Sequence, residues 1–549
     1  MLKIIPLGGL GEIGLNMMVI EYEDTLIIVD VGLMFPENYM LGIDIVIPDM
    51  SYVLQKKHSV AGIVLTHAHE DHIGALPYLL REAQLPVYAT PFTLAILKHK
   101  LEEHGLLCDN LFHTVHPDMK IPIGPFEVDF IRVSHSIIDG VGLAIHTPLG
   151  VIIHTGDFRI SYSPADGITT DIAKFARYGQ QGVLALFSDS TNVEHEGYNI
   201  SDQVVGETLA GIIGNSPGRV IVALFASNVA RMQQLIDIAS NNRRKIVLSG
   251  RSIELTAMIA QQLGYLTIHE DMQINEKAID DYPEQEILMI TTGSQGEPMS
   301  ALARMASGFH KHIKVKKGDT IILSSKFIPG NEKAIAHIIN NLYRRGADVI
   351  YDKVSEVHVS GHAYQEELKL MLQLTNPKYF IPIHGEYRHL VHHARLARLI
   401  GIPENKTILA ENGQVIVFDE QGARIADSVH IGRILIDGKG IGDIGKSVLK
   451  ERRSLAEDGL VVVVMAIDEE TQTVMYGPEI FSKGFVFLEE TGHLLLDAQC
   501  VILEIVEDVA LHIPDRIHVM KTKIQKALRQ YFNFVIKRKP VILPVIFSV

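Results

Sequence analysis

The chain has 549 residues, more than one hydrophobic core ordinarily serves, so two or three domains are expected. Apolar residues make up 47% and charged residues 21%, which excludes a disordered or low-complexity protein, and no apolar run approaches the ~20 residues of a membrane helix. A formal charge of −15 excludes a broadly basic surface for nucleic acid, but not a local groove in which divalent cations hold a phosphate chain.

A strand pattern begins at once with Leu2-Lys3-Ile4-Ile5-Pro6-Leu7, without the charged and apolar regions of a signal peptide, so a cytoplasmic chain with no membrane association is expected. Over the first two hundred residues short apolar runs (25–30, 61–66, 151–155) end in polar residues, which places functional side chains at strand mouths in a layered α/β fold. From about Asp202 the pattern becomes strand then longer helix: 219–225 with 227–241, and 245–249 with 253–264. Glycines crowd 437–445, which reads as a linker. Beyond it, 460–466, 484–488 and 501–506 read as strands and 515–534 as a helix following Pro514. That helix carries an apolar stripe of Ile517, Met520, Ile524, Ala527, Leu528 and Tyr531, so its basic residues are expected to solvate the opposite face. Cys108 and Cys500 are too far apart and too few for a disulfide framework or a thiolate site, and read as buried small hydrophobes.

The most specific segment is Thr66-His67-Ala68-His69-Glu70-Asp71-His72, directly after an apolar strand. Imidazole and carboxylate are the ligands that first-row divalent ions favour, and packing alone gives no reason to concentrate their desolvation cost at one strand end. His67 and His69 can point to one cation while Asp71 and His72 reach a second.

The segment resembles the signature HxHxDH of the metallo-β-lactamase superfamily. Asp30, His135 in Val133-Ser134-His135-Ser136, and Asp157 in His154-Thr155-Gly156-Asp157 match its other motifs in order. The resemblance implies that His67, His69 and His135 hold one ion, that Asp71 and His72 hold the other, that Asp157 bridges them, and that Asp30 orients the cluster. Further on, Phe187-Ser188-Asp189-Ser190-Thr191-Asn192, His358-Val359-Ser360-Gly361-His362 and Ile381-Pro382-Ile383-His384-Gly385-Glu386 resemble the three motifs of the beta-CASP group, whose members act on nucleic acids. With the opening Pro6-Leu7-Gly8-Gly9-Leu10-Gly11-Glu12-Ile13-Gly14 and the tail, the chain resembles the ribonuclease J family over essentially its whole length. Ala68 stands where that family commonly has Gly, a change that matters only if the position needs positive φ.

The implied fold is an α/β metallo-β-lactamase αββα sandwich (1–200 and 366–436) with an inserted beta-CASP α/β domain (201–365), a linker (437–458) and a small α+β C-terminal assembly domain (459–549). The implied activity is hydrolysis of RNA phosphodiesters, 5′ to 3′ exonucleolytic with endonuclease activity, in RNA maturation and decay. Two divalent ions would activate water and neutralise the transition state; zinc suits the His-rich set and manganese also accepts it. His384 would complete the second ion's ligands. Asp30, Asp71, Asp189 and His362 would share the chemistry, His362 as the proton donor to the leaving oxygen. The loop His358, Val359, Ser360, Gly361 and His362 would grip a phosphate, the two histidines donating a hydrogen bond each. Ser227 and Asn228, at a helix start, cap it by default and add a phosphate contact on the family reading. The loop 291–298 is a further candidate contact. Some relatives hold a structural cation apart from the catalytic pair, for which Asp44 and Asp437 are the acids to test. The expected partners are single-stranded, 5′-monophosphorylated RNA, further copies of this chain in a homodimer or homotetramer, and other RNA-decay proteins. A DNA nuclease, a small-molecule hydrolase and a weakly active structural subunit are the competing readings.

Overall fold

The computed structural model describes every residue except 107–110, 298, 328–330, 353, 439, 487–492, 511–512 and 514. Its residues group into two compact units, 1–34 with 47–433, and 35–46 with 434–549.

The larger unit is built on two sheets with a shared core. The eight-stranded sheet runs Gly422–Ser428, Gln414–Asp419, Leu2–Gly8, Met17–Tyr22, Thr25–Val29, Val60–Val64, Val87–Ala89, Phe112–Thr114. The six-stranded sheet runs Tyr379–Ile383, Val183–Asp189, Gly150–His154, Val141–Thr147, Phe126–Arg132, Lys120–Ile123. Alternate residues from both, among them Ile4, Ile20, Ile27, Phe130, Leu143, Phe187 and Phe418, make one buried layer. The outer face of the six-stranded sheet is covered by the helices Ile172–Gln181, Gln365–Thr375 and Tyr387–Leu399, through Phe175, Tyr178, Leu368, Met371, Leu372, Leu396 and Ala397. Such strands are buried on both faces, which is why they read as continuous apolar runs.

Strand direction sets up the site. Gly150–His154, Val183–Asp189 and Tyr379–Ile383 are parallel neighbours, as are Thr25–Val29 and Val60–Val64. Their C-terminal ends therefore lie side by side, and the polar residue following each is delivered to one edge. Between 201 and 365 lies a separate five-stranded sheet, all parallel, in the order Lys245–Ser249, Ile287–Thr291, Val220–Ala223, Thr320–Leu323, Asp348–Tyr351.

In the smaller unit a three-stranded sheet, Val474–Lys483, Leu460–Ile467, Val541–Ser548, packs on the helices Leu494–Asp508 and Arg516–Ile536. Four sequence expectations give way here. The run 501–506 is helical, its buried residues Ala498, Ile502 and Val506 recurring every four positions. Residues 484–486 form no strand, and 487–488 lie outside the described residues; the strand is Val474–Lys483. The linker reading covers a 13-residue helix, Lys446–Asp458. Cys500 is exposed rather than buried, and Cys108 and Pro514 lie outside the described residues. The final helix buries Met520, Ile524, Leu528 and Phe532 and leaves Lys523, Lys526 and Arg529 exposed. Arg516, however, is buried and donates to the Val506 and Val509 carbonyls. Among the described residues no helix is long and apolar enough to cross a membrane.

Candidate metal centre

Two of the strand-end residues take a left-handed backbone: Asp30 (φ 59°) after Thr25–Val29 and His384 (φ 54°) after Tyr379–Ile383. Outside glycine this conformation costs of order 1 kcal/mol or more, and it persists where surrounding contacts over-determine it. For Asp30 those contacts are Thr66 N at 2.8 Å, Thr66 Oγ1 at 2.8 Å and His72 Nδ1 at 2.8 Å. Ala68 has no positive φ, so the alanine there fits without strain.

The segment after Asp30 buttresses the histidine loop by main-chain bonds, Val31 N to His72 O (2.7 Å) and Leu33 N to Glu70 O (3.0 Å). At Gly32 a β-carbon would stand 1.6 Å from the Asp71 carbonyl oxygen, so only glycine allows this approach.

Side chains converge on this edge in two groups of four that share Asp157. One is His67, His69, His135 and Asp157; the other is Asp71, His72, Asp157 and His384. Within the first, His67 Nε2 and His69 Nδ1 are 3.0 Å apart, His69 Nδ1 and His135 Nε2 3.2 Å, and Asp157 Oδ2 lies 3.7 Å from His67 and 3.8 Å from His135. Within the second, Asp157 Oδ2 is 3.2 Å from His72 Nε2 and 3.6 Å from His384 Nε2, and Asp71 Oδ2 is 3.6 and 3.3 Å from the same two atoms.

These spacings suit cations. Four ligands at ~2.1 Å from a tetrahedral ion stand roughly 3.4 Å from one another. His135 Nδ1 donates to Gly361 O at 2.7 Å, which turns the lone pair of Nε2 toward His69 Nδ1, and His69 Nε2 is occupied by Ser227 Oγ at 3.1 Å. The Nε2 lone pair of His135 is thereby free to bind a cation.

Electrostatics divides the cluster. Burial pushes His67, His69 and His135 below the ordinary imidazole value, His69 to about 4. Burial opposes charge on His72, His384 and His362 too, but the carboxylates outweigh it: Asp157 and Asp71 raise His72, Asp157 foremost raises His384 to about 9, and Asp189 foremost raises His362. Asp189 Oδ2 holds His362 Nδ1 at 2.8 Å, which leaves Nε2 as the atom to carry a proton outward. A third grouping, Asp157, Asp189, His362 and His384, reuses these residues; its His362 nitrogen is already engaged by Asp189.

The rest of the predicted set falls as follows. Ser360 Oγ accepts from Asn192 Nδ2 at 2.6 Å, and Val359 is buried. The loop is irregular, not helical. His358 diverges from His362: burial, then the charge of Arg231, lowers it to about 3, and it hydrogen-bonds the Ser324 main chain. In its neutral form the His358 ring has its one N–H engaged by the Ser324 main chain. Asn228 caps the helix Val229–Asn241, its Oδ1 accepting Arg231 N at 3.0 Å. In the loop 291–298, Gln295 binds Ser325 Oγ and Lys326 O, while Pro298 is outside the described residues. In the smaller unit Asp44 Oδ2 accepts Gly438 N at 2.7 Å and Asp437 Oδ2 pairs with Arg452 at 2.6 Å, and no metal-type cluster of described residues includes either.

Sequence reasoning missed Asn16, whose Nδ2 lies 3.0 Å from Asp71 O and 3.2 Å from His72 Nε2, and Thr191, whose hydroxyl is 2.7 Å from His384 Nδ1. The signal for Asn16 was one amide between Leu15 and Met17 in an apolar approach to a strand. His393 is fully buried against Ser190 Oγ at 3.0 Å.

Four family models match: a beta-lactamase superfamily domain over residues 42–195, the ribonuclease J beta-CASP domain over 217–342, a Zn-dependent metallo-hydrolase RNA specificity domain over 347–409, and the ribonuclease J C-terminal domain over 447–549. Ribonuclease J 1 of Streptococcus pyogenes is 43% identical over 545 residues, covering 99% of this chain and 97% of that protein. The chain belongs to the ribonuclease J family. Another member, ribonuclease J2 of Bacillus subtilis, is 42% identical across 100% of this chain and 98% of its own, and ribonuclease J of Helicobacter pylori is 41% identical across 90% and 72%. A crystal structure of an Enterococcus faecalis protein of unknown function shares the fold at a TM-score of 0.54 and 16% identity, covering 76% of this chain and 99% of that one. With the family comes the metallo-β-lactamase fold carrying an inserted beta-CASP domain and a family C-terminal domain.

Proposed function

We propose that this chain is a metal-dependent ribonuclease in which two divalent cations work together at one phosphodiester. The observation that carries the reading is the pair of four-residue ligand groups sharing Asp157, in a chain alignable end to end with ribonuclease J proteins. His67, His69, His135 and Asp157 would hold one ion and Asp71, His72, Asp157 and His384 the other. Zinc matches the imidazole-rich set and manganese also accepts it. Bound there, such ions lower the pKa of water toward neutrality and neutralise charge on the phosphoryl group.

The chain's own residues supply the rest. Asp30 fixes the His72 ring through Nδ1, and Gly361 fixes that of His135. Asp189 holds His362 by Nδ1 so that Nε2 gives its proton to the leaving oxygen, a step worth ~10²–10⁴ in rate. Ser227, Ser360 and Asn228 stand within or next to the residues around His69 and His362 and are the candidate phosphate contacts. The substrate reading is single-stranded RNA with a 5′-monophosphate, degraded 5′ to 3′ with endonucleolytic cuts, by a cytoplasmic homodimer or homotetramer.

The test incubates metal-loaded and chelated protein with 5′-monophosphorylated single-stranded RNA and matched DNA, sizing products over time. The reading expects mononucleotides from RNA with metal only. Cleavage of DNA in preference to RNA would reassign the substrate, and equal cleavage after chelation would remove the cations from the reaction.

A further inference from the structure

Glu367 stands in the first turn of the helix Gln365–Thr375 and is 0% exposed. Its carboxylate accepts Tyr364 N at 2.7 Å, the ordinary bond from a first-turn glutamate back to the residue that begins the helix. Two further bonds are no part of a cap. Oε1 accepts Ile160 N at 2.9 Å, and Oε2 accepts Asn199 Nδ2 at 2.9 Å. These donors are all amides; among the described residues no lysine or arginine pairs with the carboxylate, and burial raises its pKa. Burying a carboxylate among amides alone costs desolvation energy that closing one helix end does not call for.

Each of the two extra bonds leads to the site. Ile160 follows Asp157 by three residues, and its neighbour Arg159 donates its main-chain N–H to Ser134 O at 2.8 Å, next to His135. Asn199 gives the other hydrogen of its amide to His362 O at 2.9 Å. Reversing that amide would set its oxygen against two acceptors, His362 O and the Glu367 carboxylate, so the chain of bonds has one orientation. The loop that holds Asn199 is tied to the same helix start, Gln365 N to His195 O at 3.0 Å and Glu366 N to Gly197 O at 3.1 Å. One side chain therefore joins the segment after Asp157 to the main chain of His362, whose ring meets Asp189 at 2.8 Å.

The geometry points to Glu367 as a positioning residue for RNA cleavage: through Asn199 it fixes the His362 main chain against the Asp157 segment, and so sets where His362 Nε2 delivers its proton to the leaving 3′ oxygen. The inference rests on the ribonuclease reading above. Glu367 touches no substrate, yet a shift of ~1 Å in a group it positions can cost ~10²-fold in rate.

The experiment measures single-turnover cleavage, KM and metal content for full-length wild type, Glu367→Gln, His362→Ala and the double variant. Each is given ordinary RNA and RNA with one 3′-bridging phosphorothiolate, whose sulfur leaves as a thiolate and needs no proton. Glu367→Gln keeps the shape and one acceptor oxygen but turns an amide donor toward other donors. It should keep its metals and cut ordinary RNA at least about tenfold more slowly, with a loss below about threefold at the phosphorothiolate. In the His362→Ala background it should cost nothing further, because the two act as a unit. A wild-type rate in Glu367→Gln overturns the inference and leaves a helix cap. An equal loss at both linkages, or in both backgrounds, overturns it as well, since general loosening of the fold acts that way. Should Glu367→Gln fail to fold, Asn199→Ala, which leaves the cap and the Ile160 bond and removes the link to His362, is judged by the same two comparisons. Failure of the ribonuclease reading shows separately, as wild-type protein that cuts neither linkage.

Discussion

Asp30 touches Thr66 and His72 and sets the ring that faces Asp157, so its effect on chemistry passes through other residues. His362 is different, because its Nε2 is the candidate proton donor. His362→Ala should retain both metals and cut RNA at least ~10²-fold more slowly, measured as single-turnover rate beside elemental analysis. A rate equal to wild type would make the residue structural. Gly361 gives a complementary test. A β-carbon there would stand 2.6 Å from His135 Cε1, so Gly361→Ala should displace that ring and lower occupancy of the first ligand group, seen as lost metal without lost fold. At this scale His67, His69, Asp71 and His72 were legible as candidate ligands because their density has no packing explanation, and His135, Asp157 and His384, which the structure groups with them, were legible only through the family resemblance. The left-handed turns at Asp30 and His384, and the parts played by Asn16 and Thr191, were not, because each depends on strands distant in sequence meeting at one edge.

Among elements, the strand Met17–Tyr22 carries a buried carboxylate, Glu21, bonded to Lys56 (2.6 Å), Tyr52 (2.6 Å) and Lys3 (3.0 Å). Burial raises its pKa, but the three donors together bring it below 4.5. A carboxylate depressed on folding stabilises the protein above its unfolded pKa, and the stabilisation fades as pH falls through the folded value. Glu21→Gln should therefore be less stable than wild type at neutral pH, with the two melting curves converging below about pH 4; a difference that widens on acidification would contradict the assignment. Element type was read well where periodicity was long, as in the final helix. It failed for 501–506, because a six-residue run of five branched apolar side chains and Glu504 looks alike in a strand and on a buried helix face. The strand Val474–Lys483 was missed because only one of its faces is covered, and its exposed residues include Met475, Tyr476 and Phe481.

For the whole molecule, the smaller unit has its own core and still exposes Tyr476, Phe481, Leu543 and Phe547 on its sheet strands. Removal of residues after Gly445 is expected to lower the mass multiple of the particle in light scattering and to reduce RNA cleavage indirectly. A truncated chain that keeps its mass multiple and loses most RNA affinity would instead assign direct RNA contact to the exposed Lys523, Lys526 and Arg529. The acidic total of −15 gave little sign of a polyanionic substrate, since the positive charge proposed to meet it would come from cations held by the His/Asp cluster. The central claim is the shared metal site, and it is tested most directly by elemental analysis of purified chain paired with RNA cleavage before and after chelation. The account predicts two transition ions per chain, loss of cleavage on stripping, and loss of both metal and cleavage in Asp71→Ala; full cleavage by metal-free protein would contradict it.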